Sequence, residues 1–332
     1  MMGGLATGSA TGKAPLVSVG IPVYNGENFV EAAIRSVLSQ SLDDLELIIS
    51  DNASTDRTAA ICRDYAASDR RVVYRRNAEN LGAAPNYDLA FAMARGRYFK
   101  WLAHDDELTP GYLERAAGLL ERRPESVLCN SVVEYIDGNG RTLGHYDSGL
   151  DQADREQPSE RLAAMVLRSH SCVDFFGVQR REAMLGSLLH ARFHGADRAY
   201  LAQISLRGRL VQIKEPLVRM REHPNRYTRR TSTARERLQW HDAASRKAIN
   251  LPTFHLYGQY WWIVRTAVLS PAERRKCYAV LGRWWFGNWN AVRAGVDVLA
   301  LASPGMVGMA EQVKNRLFGA APGHFIGMQD RP

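Results

Sequence analysis

Residues 97 to 110 read Arg97-Tyr-Phe-Lys-Trp-Leu-Ala-His-Asp-Asp-Glu-Leu-Thr-Pro110. Tyr98, Phe99, Trp101 and Leu102 make a run apolar and aromatic enough for a buried strand. Asp105 and Asp106 stand where that strand should end, and Thr109-Pro110 predicts a helix start with Thr as cap and Pro in the first turn. Side chains at the C-terminal edge of strands in an open α/β sheet face the ligand crevice. Two adjacent carboxylates there repel each other unless a positive charge lies beside them, and a divalent cation holding a diphosphate is the usual resident. A solvated acidic turn is the plain alternative.

Upstream, residues 16–23 form a β-branched run that ends in Tyr24-Asn25-Gly26, and Phe29, Val30, Ala33, Ile34, Val37 and Leu38 then recur at helical spacing. A second strand is predicted at 45–50, closed by Asp51-Asn-Ala-Ser-Thr-Asp56, with Ser54 or Thr55 capping a helix that continues to Ala67. Residues 71–75 read as a weaker third strand, Asn80-Leu-Gly82 as a turn, and 86–95 as a helix stopped by Gly96. Strand and helix alternate, so the fold class is α/β with a mostly parallel sheet, and acidic loops recur at successive strand ends.

The chain has 332 residues, 45% of them apolar, which suits one large domain with an appendage and excludes a disordered chain. Cys62, Cys129, Cys172 and Cys277 are scattered with no Cys-x-x-Cys pair, so neither a disulfide framework nor a zinc knuckle is expected, and a reducing cytoplasm fits best. Residues 1–14 lack an apolar h-region and read as a disordered leader; Gly8 to Lys13 is one residue short of a phosphate loop, and no strand precedes it. Residues 1–150 carry 15 basic and 20 acidic side chains, a net of −5, whereas 151–332 carry 28 and 15, a net of +13. An acidic half suited to a metal is joined to a basic half suited to phosphates or an anionic surface.

Val19-Gly-Ile-Pro-Val-Tyr-Asn25, Ile48-Ile-Ser-Asp-Asn-Ala-Ser-Thr-Asp56, Asn80-Leu-Gly82 and Asp105-Asp106, in that order, resemble the signatures of family 2 glycosyltransferases over roughly residues 15 to 225. The resemblance implies a GT-A fold at 15–232, with a nucleotide-sugar half at 15–110 and an acceptor half at 111–232. It also implies a nucleoside-diphosphate sugar donor, Mg²⁺ or Mn²⁺, and inversion at the anomeric carbon. Carried over, Pro22, Tyr24, Asn25, Asp51 and Asn80 would line the nucleotide site, with Tyr24 against the base and Asp51 hydrogen-bonded to it. Asp105 would reach the ribose and Asp106 the metal. Such enzymes often show Asp-x-Asp-Asp; here Ala103-His104 precede the pair.

Displacing a nucleoside diphosphate needs charge stabilisation, in-line placement and a base for the acceptor hydroxyl. Asp197, in Gly195-Ala-Asp-Arg198, resembles the family's tract at the head of a helix and is preferred as base over Asp174; a helix cap is its bland role. His223, in Arg221-Glu-His, is a further metal ligand, a diphosphate contact or a loop residue, and Arg221 is assigned to the diphosphate, with Arg226, Arg229 and Arg230 extending the basic tract. His190 and His194 are four apart, but no third ligand supports zinc. Residues 233–332 read as a helical appendage rich in Trp and Arg, with no run long and apolar enough to span a membrane. This appendage lies on an anionic membrane, at the inner face where a lipid-linked acceptor is presented, or packs on protein. The expected activity is sugar transfer to a glycan or lipid-linked acceptor in cell-surface polysaccharide or glycolipid synthesis. A sugar-nucleotide nucleotidyltransferase lacks its Gly-rich loop here, a non-catalytic sugar- or nucleotide-binding protein is the other alternative, and nothing suggests nucleic acid.

Overall fold

The computed structural model describes residues 13–193, 195–224, 226, 240–241, 251–287, 289–302 and 325–326. Most of the expected leader, His194, Arg229 and Arg230 lie outside the described residues.

β1 (Val17–Val23), α1 (Val30–Leu38), β2 (Leu45–Asp51), α2 (Thr58–Ser68), β3 (Val72–Arg76), α3 (Ala83–Ala92) and β4 (Tyr98–Trp101) alternate as expected. β1 pairs in parallel with β2 on one side and β4 on the other, and β3 extends the sheet beyond β2. Every residue of β1 is buried, which its run of Val and Ile permits. A Cβ on Gly20 would lie 2.9 Å from the Phe99 ring and 3.1 Å from the Ala90 Cβ, so glycine is what lets α3 and β4 close on β1. β4 pairs with β1 only as far as Gly20, so the amide hydrogen that Pro22 lacks falls past the end of that ladder. The crevice opens at this point.

β5 (Glu107–Leu108), α4 (Tyr112–Arg122), β6 (Ser126–Ile136), β7 (Thr142–Tyr146), α5 (Pro158–Val166), β8 (Val178–Arg180), α6 (Arg181–Met184), α7 (Ala196–Arg207) and β9 (Arg209–Arg221) complete the catalytic-side architecture. Antiparallel β8 joins β4 to β6, and β9 runs parallel to β6 and antiparallel to β5. Arg180, buried, donates to Leu120 O, Ser126 O and the Tyr98 hydroxyl, which satisfies the carbonyl end of α4 with a cation.

Several local expectations are corrected. Thr109 does not cap a helix: its hydroxyl donates to Leu217 O, Glu107–Leu108 pair with β9, and α4 opens after Gly111, whose φ is +82°. Neither Ser54 nor Thr55 caps α2; the Thr58 amide is held by Asp56. α3 begins three residues earlier than expected, because Pro85 fits its first turn. Residues 209–221 are one long strand rather than two, with register shifts against β6 on either side of its Pro216 partner, Val132.

The C-terminal region contributes α8 (Pro252–Thr266), α9 (Pro271–Phe286) and α10 (Asn290–Ala302), and β10 (Phe325–Ile326) pairs with β7. Tyr260, Ile263, Val264, Cys277, Leu281 and Trp284 share one core with Tyr200, Leu201 and Leu162. The Ser159 amide at the start of α5 donates to Glu273. Among the described residues no helix is long and apolar enough to cross a membrane.

Candidate functional site

Two loops at the C-terminal edge of the sheet are laced together. The Asn25 amide donates to Ser54 Oγ (2.9 Å) and its Oδ1 accepts the Thr55 amide (2.8 Å), while the Gly26 amide donates to Thr58 Oγ1 (2.8 Å). Asn25 therefore braces the loop after β1, and its φ of +51° is a conformation Asn tolerates. Tyr24 beside it is 44% exposed. Asp51 is fully buried: Oδ1 accepts the Ser54 amide, Oδ2 accepts the Tyr74 hydroxyl, and Arg76 lies 3.5 Å away.

Asn80 accepts from the Asn52 side chain and the Gly82 amide. The centre of this network is Asn52, which also donates to Gly82 O and accepts from Asn77 and the Leu81 amide, and which the sequence reading passed over. The density of Asn at 52, 77, 80 and 86 was the available signal. Asn52→Ala leaves several buried polar groups unpaired and is expected to lower unfolding stability by about 1–3 kcal/mol. Denaturant titration measures it, and a loss below the error of the fit would remove Asn52 from that role.

Asp105 and Asp106 follow β4 as expected. His223 Nε2 meets Asp105 Oδ2 at 2.9 Å, and its ring lies 4.8 Å from Phe29. Asp106, 3% exposed, accepts the Arg221 amide on Oδ1 at 2.9 Å, and no partner among the described residues takes its Oδ2. Burial pushes the Asp105 carboxyl up, but His104, the His223 hydrogen bond and Arg226 outweigh it and hold it well below the usual range. Asp106 moves the other way, raised by burial and then by the charge of Asp105. His104 is packed against Gly26, where any Cβ would come within 2.6 Å of its ring.

The Arg221 guanidinium donates to Asp105 O, Asp137 O, Gly138 O and the Glu107 carboxylate, and it stacks on Phe29 at 4.8 Å. It clamps β9 to the acid pair. Burial opposes the charge of Arg226, yet Asp106, Glu222 and Asp105 together raise its pKa, so this second arginine faces the pair electrostatically.

The segment after β7 is docked on β4 through the 3-10 turn Cys172–Phe176. Phe175 stacks on Trp101 with centroids 4.5 Å apart and planes 4° from parallel, and the buried Lys100 ammonium donates to Phe176 O. Burial pulls Lys100 down to about 7, with Asp106 opposing. A lysine inside an aromatic strand was its sequence signal. Asp197 lies in the first turn of α7; Gly195 occupies the cap position, so Asp197 is not the cap. Its Oδ1 accepts the Arg198 amide at 2.8 Å. Asp174 is 1% exposed and accepts from Asn130 and Ser148, a buried structural carboxylate. The aromatic pair Tyr87 and His190, 4.5 Å apart, connects the two sides: Tyr87 feels Asp105 and Asp106, and His190 feels Asp197.

The donor set suits a hard divalent cation: two carboxylates, each with one oxygen that takes no partner among the described residues, and an imidazole alongside. Among the described residues no three His, Cys, Asp or Glu side chains converge as a ready metal cluster. Mg²⁺ and Mn²⁺ held by one or two carboxylates take their other ligands from phosphate and water.

A sheet of this order, with a crevice at the ends of β1, β2 and β4, is the GT-A arrangement. It matches the crystal structure of S. aureus TarS 1–349 in complex with UDP at a TM-score of 0.57, covering 82% of this chain and 72% of that one at 16% identity. The complex of the same protein with UDP-GlcNAc gives a TM-score of 0.56 over 81% of this chain and 72% of that one, also at 16% identity. The family model for glycosyl transferase family 2 matches residues 18–184, just over half of the chain, and the chain belongs to that family. EpsH of Bacillus subtilis (strain 168), a protein named as a glycosyltransferase, is 31% identical over 150 residues, 45% of this chain and 42% of its own length. An uncharacterized glycosyltransferase of Rickettsia typhi is 34% identical over 131 residues, 39% of this chain and 40% of its own. These matches span less than half of either relative.

Proposed function

We propose that this glycosyltransferase inverts the anomeric centre as it moves a sugar from a nucleoside-diphosphate sugar to an acceptor hydroxyl. The observation that carries the reading is the Asp105-Asp106 pair at the end of β4, Asp106 buried and Asp105 partly so, flanked by the braced loops of β1 and β2. The fold shared with a protein whose crystal structures hold UDP and UDP-GlcNAc makes uridine the first base to test.

Tyr24 stacks on the base in this reading, while Pro22 leaves the crevice open, and Asn25, Asp51 and Asn80 hold the shape of the pocket. Asp105 offers a ribose hydroxyl the oxygen that His223 does not use. Asp106 would hold Mg²⁺ or Mn²⁺ with His223 at its flank; when bound, the cation takes up charge that gathers on the departing diphosphate. Arg221 and Arg226 both stand beside the pair as the cations for the diphosphate; Arg221 donates to backbone carbonyls and Glu107, and Arg226 to Arg221 O and Glu222. Asp197 takes the acceptor proton as the hydroxyl attacks from the face opposite the diphosphate, and that geometry inverts the centre. The acceptor is a glycan or a lipid-linked sugar in cell-surface polysaccharide or glycolipid synthesis, met on the cytoplasmic side of a membrane.

The test is calorimetric titration of UDP, GDP and ADP with and without Mn²⁺. At least one diphosphate is expected to bind about tenfold tighter or more with the cation present. Equal affinities in both conditions would remove the metal from the reading, and a donor panel assayed for sugar release then separates a transferase from a nucleotide-binding protein.

A further inference from the structure

β4 reads Tyr98-Phe-Lys-Trp101, and all four residues are buried, Lys100 fully. Side chains alternate along a strand, so Phe99 and Trp101 turn to one face of the sheet and Tyr98 and Lys100 to the other. Lys100 Nζ lies 5.1 Å from the centroid of the Tyr112 ring and donates to Phe176 O at the end of the 3-10 turn. Among the described residues no second acceptor reaches it. Packing does not account for a lysine in this place: an apolar side chain of the same length would fill the space without the cost of desolvating Nζ.

The turn that Lys100 holds is gripped at its other residues too. Trp101 stacks on Phe175, Asn130 Nδ2 donates to Val173 O at 3.3 Å and to Asp174 Oδ1 at 3.0 Å, and the Tyr112 hydroxyl donates to Asn130 Oδ1 at 3.1 Å. Nζ and the ring beside it therefore secure the same turn at different points. From the turn the contact passes to α7. The Tyr200 ring lies 5.3 Å from Phe175 and 5.9 Å from Trp101. Its hydroxyl donates to Gln179 Oε1 at 2.6 Å, and the Gln179 amide donates to Phe175 O at 3.1 Å. Tyr200 follows Asp197 by three residues, a spacing that shares one side of a helix. Lys100 thus stands on the strand that ends in Asp105 and Asp106, and it holds the turn against which the helix of Asp197 is seated.

We propose that Lys100 is a positioning residue for sugar transfer: by tying Phe176 O to the strand of the acid pair, it fixes where α7 presents Asp197. The inference rests on the roles given to Asp106 and Asp197 in the proposed function. Lys100→Met keeps the length of the side chain and removes the donor. Calorimetry with Mn²⁺ and UDP, GDP or ADP reads the donor site, single-turnover release of sugar from the matching nucleotide sugars reads the chemistry, and the thermal midpoint reads the fold. The variant is expected to bind the diphosphate within about threefold of wild type and to release sugar roughly 10–100-fold more slowly, because a small misplacement of a reacting group costs that much. Its midpoint should stay close to that of wild type, since the lost hydrogen bond is offset by the apolar replacement. Lys100→Gln, whose amide ends a bond nearer the backbone, is the milder variant and should show the same split, so the test survives if Lys100→Met fails to fold.

Action through Asp197 has its own signature. Adding Lys100→Met to Asp197→Asn should slow release by less than about twofold further, because residues that act as a unit do not contribute additively. A wild type that neither binds a diphosphate nor releases sugar ends the proposed function and this inference together. With an active wild type, three results end the inference alone: sugar release at the wild-type rate in the folded Lys100 variants, diphosphate affinity that falls in step with the rate, or a double variant that shows the full product of the two separate losses.

Discussion

Asp106→Asn is expected to lower sugar transfer by about 10³-fold or more while the protein keeps its fold, because in the proposed function this carboxylate would hold the cation that offsets the charge of the leaving diphosphate. The fold survives for a specific reason. Oδ1 of Asp106 accepts the Arg221 amide, and the carbonyl oxygen of asparagine accepts the same bond. Only the ionisable oxygen is lost, the one with no partner among the described residues. The gain in diphosphate affinity on adding Mn²⁺ should vanish with it. Asp105→Asn is the comparison: it weakens the contact with His223 and a ribose hydroxyl, and should raise the donor Kd with a smaller loss of turnover. Near wild-type turnover in Asp106→Asn, with an unchanged Mn²⁺ response, would sink the assignment.

Asp197→Asn should collapse transfer by roughly 10²–10⁴-fold, the usual worth of a positioned base. Donor affinity at equilibrium should persist, since the nucleotide loops and the acid pair lie on other elements. The structure sharpens this test. Gly195, not Asp197, holds the cap position of α7, so the substitution removes no helix cap and a stability loss does not mimic the kinetic one. Asp174→Asn keeps an oxygen for Asn130 and Ser148 and removes a buried charge whose pKa burial already raises, so it should transfer near the wild-type rate. Normal transfer by Asp197→Asn with failure of Asp174→Asn would reverse the two roles. A product with retained anomeric configuration would end the inverting mechanism itself.

The strands and helices of residues 17–101 were readable because each has a local cause: β-branched runs for β1 and β2, a 3.6-residue apolar period for α1, aromatic density for β4. The acid pair at the end of β4 was readable for the same reason, since strand ends and carboxylates are both local. Errors arose where a local signal was outbid from a distance. Thr109-Pro110 carries a helix-start pattern, but β9, more than a hundred residues later, pairs with Glu107–Leu108 and claims the Thr109 hydroxyl. The partners of Arg221 are as distant: carbonyls at Asp105, Asp137 and Gly138 converge on it only after β9 folds against β6.

Local patterning thus set the element types, the parallel α/β class and the position of the two carboxylates, because those depend on side-chain periodicity and strand ends within a few residues. Which of those carboxylates is held ionised and what each arginine donates to are questions of burial and partners. Desolvation and hydrogen bonds between residues distant in the chain answer them: the Trp101–Phe175 stack, the Lys100 bond to Phe176 and the His223 contact with Asp105 join segments about seventy to a hundred and twenty residues apart. Those contacts exist only once the sheet has closed.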